Sequence, residues 1–209
     1  MKKSATAFYE VPDLGKGHRG REFRRLLDEA VHLVRRGRIP SVAEVAQSAG
    51  VSRATAYRYF PSRSKLVSAV VAEGLAPVRR YEPKATDGLG RVRELFNRTF
   101  PLFKRFEPHM RAALQLALEH QSLEAAGLLE EEPFRRGQRT EILATTIAPL
   151  KKNLSKKTYD RLLRALAVVY GIEPMVILKD ICGASDRETE AVVRWMMDAL
   201  VDAALRSKR

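Results

Sequence analysis

A guanidinium, two methyl groups and two hydroxyls stand close together in the chain around residue 55. Arg53 can donate two hydrogen bonds to guanine, and Ala54 or the Thr55 methyl can pack on a thymine methyl. The hydroxyls of Thr55 and Tyr57 can reach base edges or phosphate oxygens. This chemistry predicts base contacts by Arg53, Ala54, Thr55 and Tyr57 in a major groove, with a solvated surface as the alternative.

A second set of side chains is suited to the phosphate backbone. Tyr59, Arg63 and Lys65 offer a hydroxyl and two cations just after the first set. Such contacts fix register on a duplex without reading its sequence. Ser41 can add a phosphate contact through the N-terminus of the helix that it caps. Solvated surface is again the alternative.

The elements that would position these side chains follow from the pattern around them. Ser41 and Glu44 have the spacing of a capping box at the start of a short helix. Gly50 suits a tight turn, and Ser52 can cap the next helix. Residues 42–60 therefore predict a helix-turn-helix. An amphipathic helix from Arg19 to about residue 37 precedes it, and Pro61 and Ser62 start a fourth helix.

Beyond this segment the pattern stays helical, which predicts an all-α fold with two domains. We expect helices over residues 89–105, 107–121, 133–151, 155–181 and 186–206, with Pro101 and Pro174 marking kinks or splits. The predicted divisions are a flexible basic arm at 1–18, a DNA-binding domain at 19–76 and a helical effector-binding and dimerisation domain at 77–209. Lys2, Lys3 and Lys16 of the arm could enter a minor groove, or the arm is disordered.

The charge of the chain is concentrated near its start. The 209 residues carry a formal net charge of +13, and residues 1–80 contain 16 basic and 7 acidic side chains. This bias is typical of nucleic-acid binding. A single cysteine, Cys182, and the lack of a long apolar run lead us to expect a soluble, cytoplasmic protein with no membrane partner.

The run SVAEVAQSAGVSRATAYRYFPSRSKL, with the helix before it, resembles the signature of TetR-family (TetR/AcrR) regulators. The likeness covers residues 19–75 and departs from the family at Ala56, where Leu is usual. It implies a ligand-responsive repressor that binds a near-palindromic operator as a homodimer. It also implies a dimer interface on the last helix, at Trp195, Met196, Leu200, Val201 and Ala204. An apolar or aromatic effector could bind among Phe96, Phe100, Phe103, Met110 and Leu114, which could equally be ordinary core.

Other functions find less support in the sequence. His109 and His120 are eleven residues apart and so do not share a helix face as metal ligands, and no nucleophile or glycine-rich phosphate loop stands out. We therefore expect no enzyme activity, no cofactor and no metal. A basic protein that binds DNA regardless of sequence, and an activator of the same fold, remain the alternatives.

Overall fold

The computed structural model describes residues 11–79, 81–134, 136 and 138–207. These residues form helices and turns and contain no strand, which confirms the predicted all-α class. Lys2 and Lys3 of the predicted arm lie outside the described residues. The helices are α1 (His18–Arg35), α2 (Val42–Ser48), α3 (Arg53–Tyr59), α4 (Arg63–Arg79), α5 (Gly88–Arg105), α6 (Glu107–Ala125), α7 (Gln138–Thr146), α8 (Lys156–Val169), α9 (Glu173–Val176) and α10 (Asp186–Arg206).

The chain divides into two compact units. Unit 1 comprises Met1–Ala76 and Phe106–Arg136, and unit 2 comprises Pro77–Arg105 and Gly137–Arg209. Within the described residues, no helix combines the length and the apolar character needed to cross a bilayer.

The core of unit 1 forms where α1 meets the short helices that follow it. The apolar stripe of α1 is buried against α2, α3 and α4, as an amphipathic helix requires. The Phe23 ring stacks on Phe60 with 5.2 Å between centroids, and its edge meets Tyr59 at 5.8 Å. These aromatic contacts fix the C-terminal end of α3 to α1.

Helix α6 packs with this core although α5, which precedes it in sequence, belongs to unit 2. Val67 of α4 shares a buried cluster with Ala113 and Leu116 of α6, and Ala112 joins the core beneath α1. Unit 1, which holds α1–α3 and most of α4, is therefore discontinuous in sequence, whereas the sequence pattern suggested one division near residue 77. The roles assigned to the predicted domains stay predictions.

Unit 2 is built from α5 and α7–α10. Phe96, Phe100 and Phe103 face inward from α5, and the Phe103 ring meets Tyr170 edge to face at 5.2 Å. Arg93 of α5 binds Asp198 of α10 through two hydrogen bonds of 2.9 and 3.1 Å. Pro101 lies inside α5 without ending it.

Two predicted helices are shorter than their periodicity suggested. The helix expected from residue 133 begins at Gln138, and the Phe134 N–H before it donates to Nδ1 of His120. The helix expected over 155–181 is split into α8, α9 and a π-helical turn at Ile177–Ile181. Gly171, at φ +140°, adopts a backbone conformation that suits glycine, and Pro174 follows with no N–H to donate.

Candidate DNA-binding site

The turn between α2 and α3 has the geometry that its residues predict. The Ser41 hydroxyl accepts the Glu44 N–H and the Glu44 carboxylate accepts the Ser41 N–H, which completes the capping box. Gly50 has φ +63°, the left-handed conformation in which glycine has no steric penalty. Ser52 caps α3 by accepting the Thr55 N–H at 3.2 Å, and its hydroxyl donates to Thr55 Oγ1 at 3.0 Å.

Small residues let the two helices of this motif approach closely. Ala46, Ala49 and Ala56 are all buried where α2 meets α3, and Phe60 closes the core below them. A bulkier side chain here would push α3 away from α2. The packing therefore fixes the angle at which the outer face of α3 is presented.

The outer face of α3 carries the residues predicted to contact bases. Arg53, Ala54 and Tyr57 are exposed, with Tyr57 at 45% of its full accessible surface, and Thr55 is half-buried. The helix contains two arginines and no acidic residue. The Thr55 hydroxyl is oriented by its bond to Ser52, whereas no hydrogen bond is seen from the side chains of Arg53 and Tyr57 to the described residues. This face is positively charged and open.

The predicted phosphate contacts are placed differently, because each already has a partner in unit 1. The Tyr59 hydroxyl lies 3.1 Å from the Arg19 carbonyl oxygen and 3.3 Å from a Glu22 carboxylate oxygen, so it can donate to one of them. Ser41 is engaged in its capping box, and its N–H holds the pKa of the Glu44 carboxyl below the usual range. The side chains of Tyr59 and Ser41 therefore already make hydrogen bonds within unit 1, although both lie near the surface.

Arg63 and Lys65, at the start of α4, face carboxylates that sequence reasoning did not connect with them. Arg63 Nη1 lies 2.9 Å from a Glu119 oxygen, and Lys65 Nζ lies 3.1 Å from Glu132. The Ser64 N–H donates to Glu131 at 3.3 Å. The run Glu130–Glu132 is visible in the sequence, but nothing in the pattern indicates which cations it meets.

The remaining predicted site residues are divided between the units. Phe96, Phe100 and Phe103 are buried in unit 2, whereas Met110 and Leu114 belong to α6 in unit 1. On α10, Trp195 is 70% exposed, and Met196 and Leu200 are half-buried. Val201 and Ala204 are buried within unit 2.

Two comparisons, one of sequence and one of structure, both match TetR regulatory proteins. Residues 26–70 match the sequence profile described as bacterial regulatory proteins, tetR family. The fold is similar to the crystal structure of a TetR transcriptional regulator from Rhodococcus sp. RHA1, with a TM-score of 0.57 and 21% sequence identity over 88% of this chain and 97% of that chain. Among curated proteins, none matches this sequence. The matched segment contains α2, α3 and the side chains on the open face of α3.

Proposed function

We propose that this chain, whose DNA-binding segment belongs to the tetR family of regulatory proteins, is a repressor that binds a near-palindromic operator as a homodimer and is released by a small effector. Its assignment as a DNA-binding transcription regulator rests on the family match and the fold. The observation that carries the finer proposal is the open face of α3. Arg53, Ala54 and Tyr57 project from a capped helix whose angle is fixed by alanine packing.

The proposed mechanism of recognition places α3 of each protomer in a major groove. Arg53 would bond guanine bidentately, and Ala54 and Thr55 would pack on thymine methyls. Two such helices read half-sites about one helical turn apart or a multiple of that, so the operator has the symmetry of the dimer. Arg63, Lys65 and the N-terminus of α2 at Ser41 would add phosphate contacts, and Tyr59 would support them.

The dimer proposal is supported by apolar side chains that unit 2 leaves exposed. Trp195 and Val192 lie on α10, and further exposed apolar residues occur nearby in sequence at Val168, Ile177 and Ile181. Contiguous exposed apolar surface marks interaction sites in soluble proteins, and Trp195, at 70% exposure, is the largest exposed apolar side chain of α10. We assign the interface to α10 around Trp195, with Met196 and Leu200 beside it. Val201 and Ala204 would support the interface from the core of their own protomer.

The effector proposal rests on the interior of unit 2. Phe96, Phe100 and Phe103 are buried along α5, and the Phe103 ring meets the buried Tyr170 edge to face. An apolar or aromatic molecule bound here would release DNA by binding the DNA-incompetent state more tightly. Met110 and Leu114 would then lie on α6, the helix that moves when the effector binds, and would not line the effector site.

Selection of bound duplexes from a random library tests the proposal. At about 0.15 M salt, where counterion-driven background is reduced, wild type should enrich a near-palindrome. Tyr57→Ala and Arg53→Ala should lose it. Arg187→Ala removes the same charge from an exposed position of α10 and should select the wild-type motif.

Failure to enrich any motif would favour the alternative of a sequence-indifferent basic protein, for which the net charge of +13 is the supporting observation. In that case Arg53→Ala and Arg187→Ala would weaken binding equally. A reporter gene behind the selected site separates repression from activation, since deletion of the regulator raises expression in the first case and lowers it in the second.

A further inference from the structure

Carboxylates surround the start of α4, where the phosphate contacts are proposed. Glu119 on α6 pairs with Arg63 at 2.9 Å, and Glu132, in the segment after α6, pairs with Lys65 at 3.1 Å. Glu131 accepts the Ser64 N–H at 3.3 Å. Two cations and one backbone donor of this end of α4 are thus bound to carboxylate oxygens of the same unit.

Buried contacts hold the acidic segment in this position. The Ser64 hydroxyl donates to the Glu132 carbonyl oxygen at 2.8 Å. The imidazole of His120, which is 2% exposed, accepts the Phe134 N–H at Nδ1 and lies 3.2 Å from Glu131 through Nε2. Residues 130–134, which we name the acidic strap, are therefore anchored from both α4 and α6.

The strap and a DNA phosphate would use the same donors. Carboxylate and phosphate oxygens both accept charge-assisted hydrogen bonds from guanidinium, ammonium and backbone N–H groups. A phosphate would bring a second set of negative charges to Arg63 and Lys65, so the two acceptors exclude each other.

We propose that the acidic strap, together with Glu119, is an intramolecular competitor of DNA that occupies Arg63 and Lys65 until an operator phosphate displaces it. The inference rests on the proposed function, because it needs Arg63 and Lys65 to be phosphate contacts. Only molecules with an open strap can make these phosphate contacts, so the apparent affinity for operator is the intrinsic affinity multiplied by the open fraction. Displacing the strap offsets part of the favourable free energy of the phosphate contacts, so binding depends more on the α3 base contacts.

The test compares three glutamines at adjacent positions in the full-length chain. Glu132→Gln and Glu131→Gln each remove one strap charge and keep a hydrogen-bonding side chain of the same length. Glu130→Gln removes the same charge from the neighbouring exposed residue, for which no contact with α4 is seen in the described residues. Operator affinity is measured by fluorescence anisotropy at about 0.15 M salt, with circular dichroism as the check on fold.

Glu132→Gln should tighten operator binding by about two- to fivefold, the range typical of a partly exposed ion pair. Glu131→Gln, which loosens the strap at Ser64, should tighten it less, and Glu130→Gln should change it least. The effect of Glu132→Gln should vanish in a Lys65→Gln background, because the strap acts through that ammonium. Equal gains from all three variants, or a gain that survives in Lys65→Gln, would show a general charge effect and overturn the strap.

The outcome for the proposed function is read separately. Lys65→Gln alone should weaken operator binding. If it does not, Lys65 is no phosphate contact, and the strap is refuted while base recognition by α3 stands. If neither wild type nor Glu132→Gln selects any operator, the proposed function is refuted and the strap with it.

Discussion

Helices α3 and α8 begin with the same cap, which allows a matched test of the role proposed for α3. Ser52 accepts the Thr55 N–H at 3.2 Å and donates to Thr55 Oγ1 at 3.0 Å. Ser155, at the start of α8 in unit 2, makes the same pair of bonds to Thr158 at 3.2 and 3.0 Å. Ser52→Ala and Ser155→Ala therefore remove the same interactions from two places with different proposed roles.

The hydrogen bonds lost in Ser52→Ala and Ser155→Ala determine how far each substitution destabilises its helix. Each substitution removes the hydrogen bond to an otherwise unpaired N–H of the first turn, at a cost of about 1 kcal/mol. That is about a fivefold increase in the population of the opened first turn. Ser52→Ala also removes the hydrogen bond that holds the Thr55 hydroxyl in place. Only Ser52→Ala should therefore weaken DNA binding, by up to about fivefold.

Hydrogen–deuterium exchange and operator titration measure the two consequences. Exchange at the first turn of α3 should accelerate in Ser52→Ala, and exchange at the first turn of α8 should accelerate to a similar extent in Ser155→Ala. Anisotropy titrations should show weaker operator binding for the first variant and wild-type binding for the second.

Two results would refute this reasoning. Wild-type affinity in Ser52→Ala, despite faster exchange at α3, would show that the first turn of α3 is not needed at the DNA surface. Equal losses of affinity in both variants would trace the effect to overall stability instead of to α3.

Two further predictions concern other parts of the chain. Trp195→Ala should weaken dimerisation by about 2 kcal/mol or more, as for an aromatic anchor buried in an interface. Leu128→Ala, at an exposed apolar residue of unit 1, should leave dimerisation unchanged. If the sedimentation coefficient of Trp195→Ala matched that of wild type across a dilution series, the proposed interface would be contradicted. Burial, with a contribution from Arg35, lowers the pKa of His109. The unfolded chain therefore binds more protons than the folded chain as the pH falls below about 6.5, and the free energy of unfolding decreases with the pH. His109→Leu should reduce the fall of the thermal unfolding midpoint with decreasing pH, whereas His18→Leu, at an exposed position, should leave that fall unchanged. If the midpoints of His109→Leu and wild type fell in parallel, burial of His109 would not be the cause.

Local signals in the sequence predicted the helix-turn-helix closely. Ser41, Ser52 and Gly50 each act within a few residues of their own position, through a cap or a left-handed turn, so their roles do not depend on distant parts of the chain. The exposed face of α3 followed from the same periodicity. The all-α class was predictable for the same reason, since helical spacing recurs along the whole chain.

Partners distant in sequence could not be predicted in this way. The apolar face of α6 is evident from its spacing, but an amphipathic stripe does not specify which core it covers, and α6 packs with α1 and α4. The pairing of Arg63 with Glu119 and of Lys65 with Glu132 spans more than fifty residues. The hydrogen bond between the Phe134 N–H and the buried His120 also joins residues that no local rule connects.

The discontinuity of unit 1 constrains how this protein can be recombined with others. A fragment cut after residue 76 would leave out Ala113 and Leu116 of α6, the side chains that cover Val67 on α4. Such a fragment would expose apolar surface and lose the partner of Arg63. A chimaera that keeps unit 1 and replaces unit 2 must therefore be joined at three places, near residues 76, 105 and 136, and must carry α6 with α1–α3.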